Sequence, residues 1–192
     1  MNWQEANEWE KNWWSDCCDT TEEEIKQRVY AKKMGLITRN LEGKSILDVG
    51  GGAVSLLLKF KNRGDCAVID PCKYPDWIAS RYLENEIVYY VKKAEDMFFA
   101  KNRVFDEAWM YNCLQHTENP EKIVKKMRKY TKIIRVFEWV DQGISPGHIQ
   151  NLQEDKLNEW LGGKGRVEVI NEDGCHGKCY FGVFKGDHYA EI

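Results

Sequence analysis

Short apolar runs alternate with amphipathic stretches through most of the chain, from Lys44 onwards. Apolar runs of this length, bounded by glycine, proline or polar residues, are typical of buried strands, whereas apolar positions spaced by three and four residues are typical of helices. The predicted strands are KSILDV, CAVIDP, EIVYYV, VFDEAWMYNCL and KIIRVFEWV. Because helical segments separate them, these strands predict a mostly parallel sheet that is covered on both faces.

The helical segments have recognisable ends. A first helix, ending at Gly64, is predicted by AVSLLLKFKNRG, and a second, opening at Pro75, by PDWIASRYLEN. A third is predicted by NPEKIVKKMRKY, with Asn119 as its cap and Pro120 at its first position. The segment QEDKLNEWLGG predicts a last helix that is closed by glycines.

The C-terminal part predicts two strands with only a glycine-rich connection, GRVEVINEDGCHGKCYFGVFKG. Such a connection must be a hairpin, so the last strand is expected to run antiparallel. We expect CHGKC to form the hairpin turn. The alternative is a metal site at Cys175, His176 and Cys179, but a structural zinc site needs four ligands and no second pair is evident. We therefore predict no metal site. Together with the five parallel strands, the hairpin predicts a doubly wound α/β fold with a seven-stranded sheet.

Composition narrows the class of protein. The 192 residues are 43% hydrophobic and 31% charged, which is typical of one globular domain. A net charge of -3 argues against a nucleic-acid backbone as the main partner. No apolar run approaches the roughly 20 residues that cross a bilayer. Seven cysteines without a repeating framework favour a reduced protein, and we expect it to be cytoplasmic, without a membrane partner.

Three consecutive glycines follow the first predicted strand in KSILDVGGGAVSLLLKF. Glycine tolerates a tight strand-to-helix turn, and it also allows a ligand to approach bare backbone. Ligands of parallel sheets bind at the carboxyl ends of the strands, near the point where the strand order reverses. The turn at Gly50, Gly51 and Gly52 is expected to lie there.

The segment LDVGGG resembles the first motif of the class I S-adenosylmethionine-dependent methyltransferases, an acid, one residue and then Gly-x-Gly. The resemblance extends from Lys44 to about Gly186 and implies a Rossmann-like fold that binds S-adenosyl-L-methionine. A dinucleotide site would favour G-x-G-x-x-G, but Ser55 occupies the sixth position. Asp48, just before the glycines, suits a cationic sulfonium better than a phosphate.

The resemblance also implies the residues that bind the donor. Asp70, at the end of the second strand, corresponds to the carboxylate that binds the ribose hydroxyls, although an acid before Pro71 could instead cap the turn. The segment KKAEDM corresponds to the loop that binds adenine, with a solvated helix start as the alternative. The implied donor-binding residues are Asp48, Gly50, Gly51, Gly52, Asp70, Pro71, Ala94, Glu95, Asn112 and Leu114.

The segment MYNCLQHTENPEKIV resembles the stretch that lines the methyl-donor channel after the fourth strand. It implies that Asn112, Leu114, Gln115 and His116 lie nearest the sulfonium. Methyl transfer to oxygen also needs a base, and histidine is the natural one near neutral pH.

The catalytic candidates are His148 and His116, whose loops should open on the same edge of the sheet. We favour His148, because Pro146 and Gly147 shape its loop; a hydrogen bond that pins the loop is the alternative for each histidine. Glu138 and Asp141 could hold acceptor hydroxyls, bind a divalent cation with His148, or form a surface acid pair.

We expect residues 1–43 to form an N-terminal helical cap and residues 44–192 the methyltransferase domain. Thr20 or Thr21, ahead of EEEIKQRVYAKKM, predicts a capped helix start, with Ile25, Val29 and Tyr30 on its buried stripe. In the family such helices often close over the donor. The tryptophans of this cap either contact the acceptor or pack on the outside of the sheet, and they are Trp3, Trp9, Trp13 and Trp14.

The sequence thus predicts transfer of a methyl group to a small hydroxylated acceptor, such as a sugar or glycan. Nucleic-acid methylation is disfavoured, because YNCLQH stands where a DPPY-type motif would follow the fourth strand. Two alternatives are a nicotinamide-dependent oxidoreductase and a catalytically inactive methyltransferase-like binding protein. The sequence leaves the oligomeric state open.

Overall fold

The fold is built on one seven-stranded sheet. A computed structural model of the chain describes residues 2–16, 21–100 and 103–189. The strands, in chain order, are β1 Ile46–Val49, β2 Cys66–Asp70, β3 Ile87–Val91, β4 Phe105–Tyr111, β5 Thr131–Trp139, β6 Arg166–Glu172 and β7 Cys175–Lys185.

Helices flank this sheet on both faces. They are α1 Trp3–Asp16, α2 Thr21–Lys33, α3 Asp76–Glu84, α4 Pro120–Tyr130 and α5 Glu154–Leu161. Single 3-10 turns occur at Leu56–Lys59, Ala94–Asp96 and Leu114–His116. None of the helices in the described part of the chain is long and apolar enough to cross a membrane.

The sheet order is β3-β2-β1-β4-β5-β7-β6. Strands β1 to β5 are parallel, and β7 is antiparallel to both β5 and β6. The predicted fold class, with an antiparallel last strand, is confirmed. Because β1 pairs with β2 on one side and β4 on the other, the order reverses between β1 and β4, and a ligand crevice is expected at their carboxyl ends.

Two hydrophobic cores lie on opposite faces of the sheet. Ile46 faces the core that α2 and α3 cover, whereas Leu47 and Val49 face the core that α4 and α5 cover. All four residues of β1 are buried, which explains why the strand is an unbroken apolar run apart from Asp48. Asp48 is the charged residue in this strand, and its carboxyl group is buried.

The predicted helix after the glycines is wrong. Only one 3-10 turn forms, Leu56–Lys59, and Phe60 is already extended. Ser55 caps this turn by accepting a hydrogen bond from the N–H of Leu57 over 3.0 Å. The apolar run predicted a helix because it contains several consecutive leucines. Leu56 and Leu57 are both fully buried, but consecutive residues do not lie on one face of a helix, so the run lacks the spacing of an amphipathic helix.

The hairpin is confirmed, but CHGKC is not its turn. Asp173 and Gly174 form the turn with φ values of 49° and 74°, the backbone conformation that Asp-Gly favours in two-residue hairpins. Cys175 already pairs with Glu172, and CHGKC is the first part of β7. The Asp-Gly dipeptide therefore indicates the position of the hairpin turn better than CHGKC does.

The second helix begins at Thr21, and Thr20 lies outside the described residues, as do Cys17 and Cys18. Val29 and Tyr30 are buried as predicted. Ile25 is 36% exposed, so its predicted place in the buried stripe is wrong.

Candidate active site

A cavity opens at the carboxyl ends of β1, β2 and β4, where the strand order reverses. The space between these strand ends and the covering helices amounts to about 870 Å³, a figure that includes volume open to solvent. The loops after the strands form its floor, and α1 and α2 form its roof. Eight of the ten predicted donor-binding residues line it, namely Gly50, Gly51, Gly52, Asp70, Pro71, Ala94, Glu95 and Asn112.

The glycines of this turn are required by the packing around them, and they also leave the backbone open to a ligand. Gly50 has a φ of +71°, and a Cβ atom there would lie 2.5 Å from the Cβ of Cys113. A Cβ atom on Gly51 would lie 2.8 Å from a carboxylate oxygen of Asp48. Gly52 has a φ of +64° and donates its N–H to Asp70 over 3.0 Å. Each glycine thus meets a separate constraint, and together they leave backbone exposed to the cavity.

Asp48 lies behind the glycine turn and does not line the cavity. One of its oxygens accepts hydrogen bonds from the hydroxyl of Tyr111, at 2.7 Å, and from Ser55. Burial raises the pKa of this carboxyl to about 7, although both hydroxyl donors lower it. Asp48 joins the turn to the end of β4, so its position supports the shape of the turn.

Asp70 both caps a turn and borders the cavity. One oxygen accepts the N–H of Gly52; the other accepts the N–H of Cys72 at 2.9 Å and the hydroxyl of Tyr74 at 3.3 Å. Burial raises the pKa of Asp70 to about 6, and the two N–H donors lower it. A carboxylate offers about four acceptor sites, so it retains capacity for a ligand hydroxyl.

Hydrogen bonds to the side chain of Glu95 hold the loop after β3 in place. Glu95 is buried, and one of its oxygens accepts the N–H groups of Glu118 and Asn119 at 3.0 and 3.1 Å. Ala94 and Glu95 begin a 3-10 turn and line the cavity. The alternative of a solvated helix start is therefore wrong at these two residues.

The loop after β4 rests on a buried carboxylate of β5. Glu138 accepts the N–H groups of Cys113 and Leu114 over 3.1 Å, and burial raises its pKa to about 8. Asn112 has a φ of +51°, an uncommon conformation that often marks functional loops, and it lines the cavity. The side chain of Leu114 lies in the core instead.

Glu138 and Asp141 do not form an acid pair. Glu138 lies fully buried beneath the loop, whereas Asp141 forms an ion pair with Lys178 at 2.6 Å. Cys175 and Cys179 are buried in β7, and His176 is exposed. Over the described ranges, no three acidic, cysteine or histidine side chains converge as metal ligands do.

Of the two candidate histidines, His116 lines the cavity and His148 does not. The Nδ1 atom of His116 lies 2.9 Å from the carbonyl oxygen of Gly147 and 3.2 Å from an oxygen of Glu10. Since a carbonyl only accepts, Nδ1 is the protonated nitrogen, and Nε2 accepts from the side-chain amide nitrogen of Gln115 over 3.4 Å. Burial lowers the pKa of His116 to about 4, so the ring is neutral at pH 7.

His148 packs against the other histidine. The two ring centroids are 4.8 Å apart in an edge-to-face arrangement. Burial lowers the pKa of His148 to about 4, and the charge of His116 lowers it further. His148 borders His116 from outside the cavity.

The roof contains three residues that were not expected from the sequence, and they are Asn7, Glu10 and Glu23. Trp3, Asn7, Glu10 and Trp14 line the cavity from α1, and their spacing of four, three and four residues places them on one helical face. Glu23 adds a carboxylate from α2. The spacing was a usable signal, because it places two polar residues in line with two of the tryptophans.

Two tryptophans of the cap lie at the cavity, and a third lies at the surface. Trp3 and Trp14 line the cavity, and a Cβ atom on Gly52 would lie 3.5 Å from the Trp14 ring. Trp9 is 39% exposed and packs near Gly147. The side chain of Trp13 lies outside the described part of the structure.

The chemistry of the cavity wall fits a cationic nucleoside. Four carboxylate residues line it, Glu10, Glu23, Asp70 and Glu95, and none of its described lining residues is lysine or arginine. A pyrophosphate would meet like charge there, whereas a sulfonium with an ammonium group would meet opposite charge. The wall therefore fits S-adenosylmethionine and disfavours a nicotinamide dinucleotide.

Comparison with known proteins agrees with this geometry. Residues 47–133 match the family model described as a methyltransferase domain. The DhpI–SAH complex superposes with a TM-score of 0.67 at 14% identity, covering 96% of this chain and 97% of that one. The N-methyltransferase NodS from Bradyrhizobium japonicum WM9, in complex with S-adenosyl-L-homocysteine, gives 0.62 at 14% identity and covers 89% and 90%.

A third structure is the magnesium protoporphyrin IX methyltransferase (ChlM) from Synechocystis PCC 6803 with bound SAH. It gives a TM-score of 0.63 at 13% identity, covering 84% of each chain. At these identities the superpositions establish the fold, and the family match establishes the kind of domain. Residues 47–133 thus match a methyltransferase domain, and the chain as a whole has the Rossmann-like fold of methyltransferases solved with S-adenosyl-L-methionine or S-adenosyl-L-homocysteine.

Proposed function

We propose that the enzyme methylates a hydroxyl group of a small acceptor, with sugars and glycans among the candidates. The donor would be held by the glycine turn Gly50–Gly52, by Asp70 at its ribose, by Ala94 and Glu95 at its adenine, and by Asn112 near its sulfur. When bound, S-adenosylmethionine supplies a methyl group on a sulfonium leaving group, already activated for in-line displacement.

His116 is the proposed general base. The proton of the acceptor hydroxyl passes to Nε2 of His116 as the new O–C bond forms, and the electron pair of the broken C–S bond stays on sulfur. The hydrogen bond from Nδ1 to the carbonyl of Gly147 leaves Nε2 as the accepting nitrogen of the ring, and in the proposal the acceptor hydroxyl takes the place of the Gln115 amide that lies 3.4 Å from it. This orientation at the cavity wall is the observation on which the proposal rests, and it favours His116 over His148.

Residues 1–43 act, in this proposal, as a cap on the catalytic domain 44–192. Side chains of α1 and α2 line the same cavity as the glycine turn, so the cap would enclose donor and acceptor together and exclude water. A cavity that the cap covers on one side supports a small-molecule acceptor. The five described cysteines that are free thiols are all buried, which is compatible with the proposed cytoplasmic location.

The experiment is a two-step assay on the full chain. Calorimetry should first show binding of S-adenosylmethionine. Release of S-adenosylhomocysteine should then be measured over hydroxylated metabolites, with mass spectrometry to locate the methyl group. A product methylated on oxygen supports the proposal, and a product methylated only on nitrogen or carbon would contradict it.

A further inference from the structure

The two carboxylates in the roof of the cavity, Glu10 and Glu23, differ from the two in its floor in their hydrogen-bond partners. Asp70 and Glu95 are each bonded to two backbone N–H groups. Glu10 uses one oxygen toward His116. Glu23 forms no ion pair with any residue of the described ranges. The roof thus offers carboxylate oxygens that backbone donors do not occupy.

The cations near Glu23 are engaged elsewhere. Lys26 lies one turn along α2, but its Nζ atom is 2.6 Å from Glu22. Lys59 pairs with Glu24 at 4.0 Å. Their charges lower the pKa of Glu23, yet burial outweighs them and raises it to about 7, with the charge of Glu10 adding to the rise. No lysine or arginine of the described residues forms an ion pair with Glu10 or Glu23, and the group that contacts Glu10 is the ring of His116.

Glu10 is in a similar environment. Burial raises its pKa to about 7. A largely buried carboxylate with no lysine or arginine beside it is unfavourable, and a cation placed there recovers part of the lost solvation as charge-assisted hydrogen bonds. Trp3 and Trp14 border the same space, and indole faces attract cations; the Nζ atom of Lys93 already lies 3.4 Å from the ring centroid of Trp3.

We propose that Glu10 and Glu23 bind an ammonium group of the acceptor, so that the acceptor is a hydroxylated amine, an amino alcohol or amino sugar in type. The inference rests on the proposed function, because it names the acceptor class for the same cavity. The ammonium group stays protonated and is not methylated. Its binding places the hydroxyl next to His116, since Glu10 contacts that ring directly.

The position of the two carboxylates favours the acceptor over the donor as their partner. The residues proposed for the donor all follow strands of the sheet, whereas Glu10 and Glu23 belong to the cap and Glu10 contacts the proposed base. The ammonium group of the donor's methionine part is the competing occupant, and the experiment must separate the two.

The first arm measures binding without turnover. Hydroxylated amines and their neutral counterparts are titrated by calorimetry into the full chain saturated with S-adenosylhomocysteine. The pairs are glucosamine with glucose, ethanolamine with ethylene glycol, and tyramine with 4-ethylphenol. We expect the amine of at least one pair to bind about tenfold more tightly or better, because it adds charge-assisted hydrogen bonds. Equal or weaker binding of the amine in all three pairs overturns the inference.

The second arm uses Glu23→Gln, with Glu24→Gln as the matched control on the same helix outside the cavity lining. Glu23→Gln should weaken amine binding about tenfold and leave the affinity for S-adenosylmethionine within about twofold. The control should change neither. An equal loss of donor affinity in Glu23→Gln would show that the carboxylate serves the donor and would overturn the inference. The amide removes a buried charge, so the variant should fold, and circular dichroism checks this.

Failure of the proposed function has a different signature. If amines bind through Glu23 but no oxygen is methylated, the proposed O-methylation is wrong and the amine site stands. If oxygen is methylated on neutral acceptors with no preference for amines, the proposed function stands and this inference fails.

Discussion

The N–H of Gly52 donates to a carboxylate oxygen of Asp70 over 3.0 Å, which joins the glycine turn after β1 directly to the end of β2. The same carboxylate accepts the N–H of Cys72 through its other oxygen. A single side chain therefore holds both backbone segments that border the proposed sugar position. This dual use predicts that changing Asp70 affects both donor binding and the shape of the turn.

Asp70→Asn should weaken the affinity for S-adenosylmethionine about tenfold or more, because one charged acceptor site for a ribose hydroxyl is lost and hydrogen bonds to charged groups contribute about 1.5–3 kcal/mol. Calorimetry measures the dissociation constant. Asp76→Asn, at the exposed start of α3, is the control and should bind the donor normally. Unchanged affinity in Asp70→Asn would place the ribose elsewhere.

Gly50→Ala should destabilise the protein by roughly 3 kcal/mol or more, since strain at positive φ costs about 1–3 kcal/mol and overpacking adds a similar amount. The new Cβ would meet the Cβ of Cys113 at 2.5 Å. Gly43→Ala is the matched control, because its φ of +67° is almost the same and no atom lies within 4 Å of the added Cβ. Urea unfolding measures both; equal losses would show that packing against Cys113 is unimportant.

The strand pattern and the donor half of the site could be predicted because their signals are local. Each buried strand is a contiguous run. Gly50–Gly52 directly follow β1, Asp70 is the last residue of β2, and Glu95 lies four residues after β3. The topology then brings the carboxyl ends of parallel strands to one edge. Leu114 belongs to the same loop as Asn112, but its side chain packs in the core, which the position of the loop alone does not indicate.

The roof could not be predicted in the same way. Glu10 acquires its role only because α1 lies across the loops that contain His116 and Gly147, a contact between distant parts of the chain. The ranking of the histidines depended on the same packing, which places His116 at the cavity and His148 beside it. Local patterns do not record such tertiary contacts.

The stability of the donor-free protein should fall as the pH rises from 6.5 to 8. Glu138 has a folded pKa of about 8 against an ordinary 4.5, so its contribution is complete below pH 4.5 and is lost as the pH approaches 8. The folded state holds the extra proton in that window, and one such group changes the free energy of unfolding by up to about 1.4 kcal/mol per pH unit. Starting at 6.5 limits the opposite contribution of His116 and His148, whose pKa values are lowered from 6.5.

Glu138→Gln should reduce this pH dependence, because the amide does not titrate and still offers an oxygen to Cys113 or Leu114. A smaller slope should remain, because burial also raises the pKa values of Glu10, Glu23 and Asp48 to about 7. Thermal unfolding at several pH values measures the slope. Glu154→Gln, exposed in the first turn of α5, should keep the slope of the unchanged protein. A Glu138→Gln slope equal to that control would mean that Glu138 is ionised in the folded protein throughout the window.

His116→Gln should lower kcat for the most active hydroxylated acceptor by about 100-fold or more, since a positioned general base contributes about 10²–10⁴-fold. Glutamine can still donate to the carbonyl of Gly147, so the loop should keep its position and the affinity for S-adenosylmethionine should change little. His148→Gln is the control at the adjoining ring, and its kcat should fall far less because that ring lies outside the cavity lining. The pH profile adds a second test: only His116→Gln should abolish the acid limb of kcat that reports protonation of the His116 ring, whose pKa burial lowers to about 4. If His148→Gln lost the larger share of kcat and His116→Gln did not, His148 would be the base, and the loop of residues 145–148 would have to move toward the cavity when the acceptor binds.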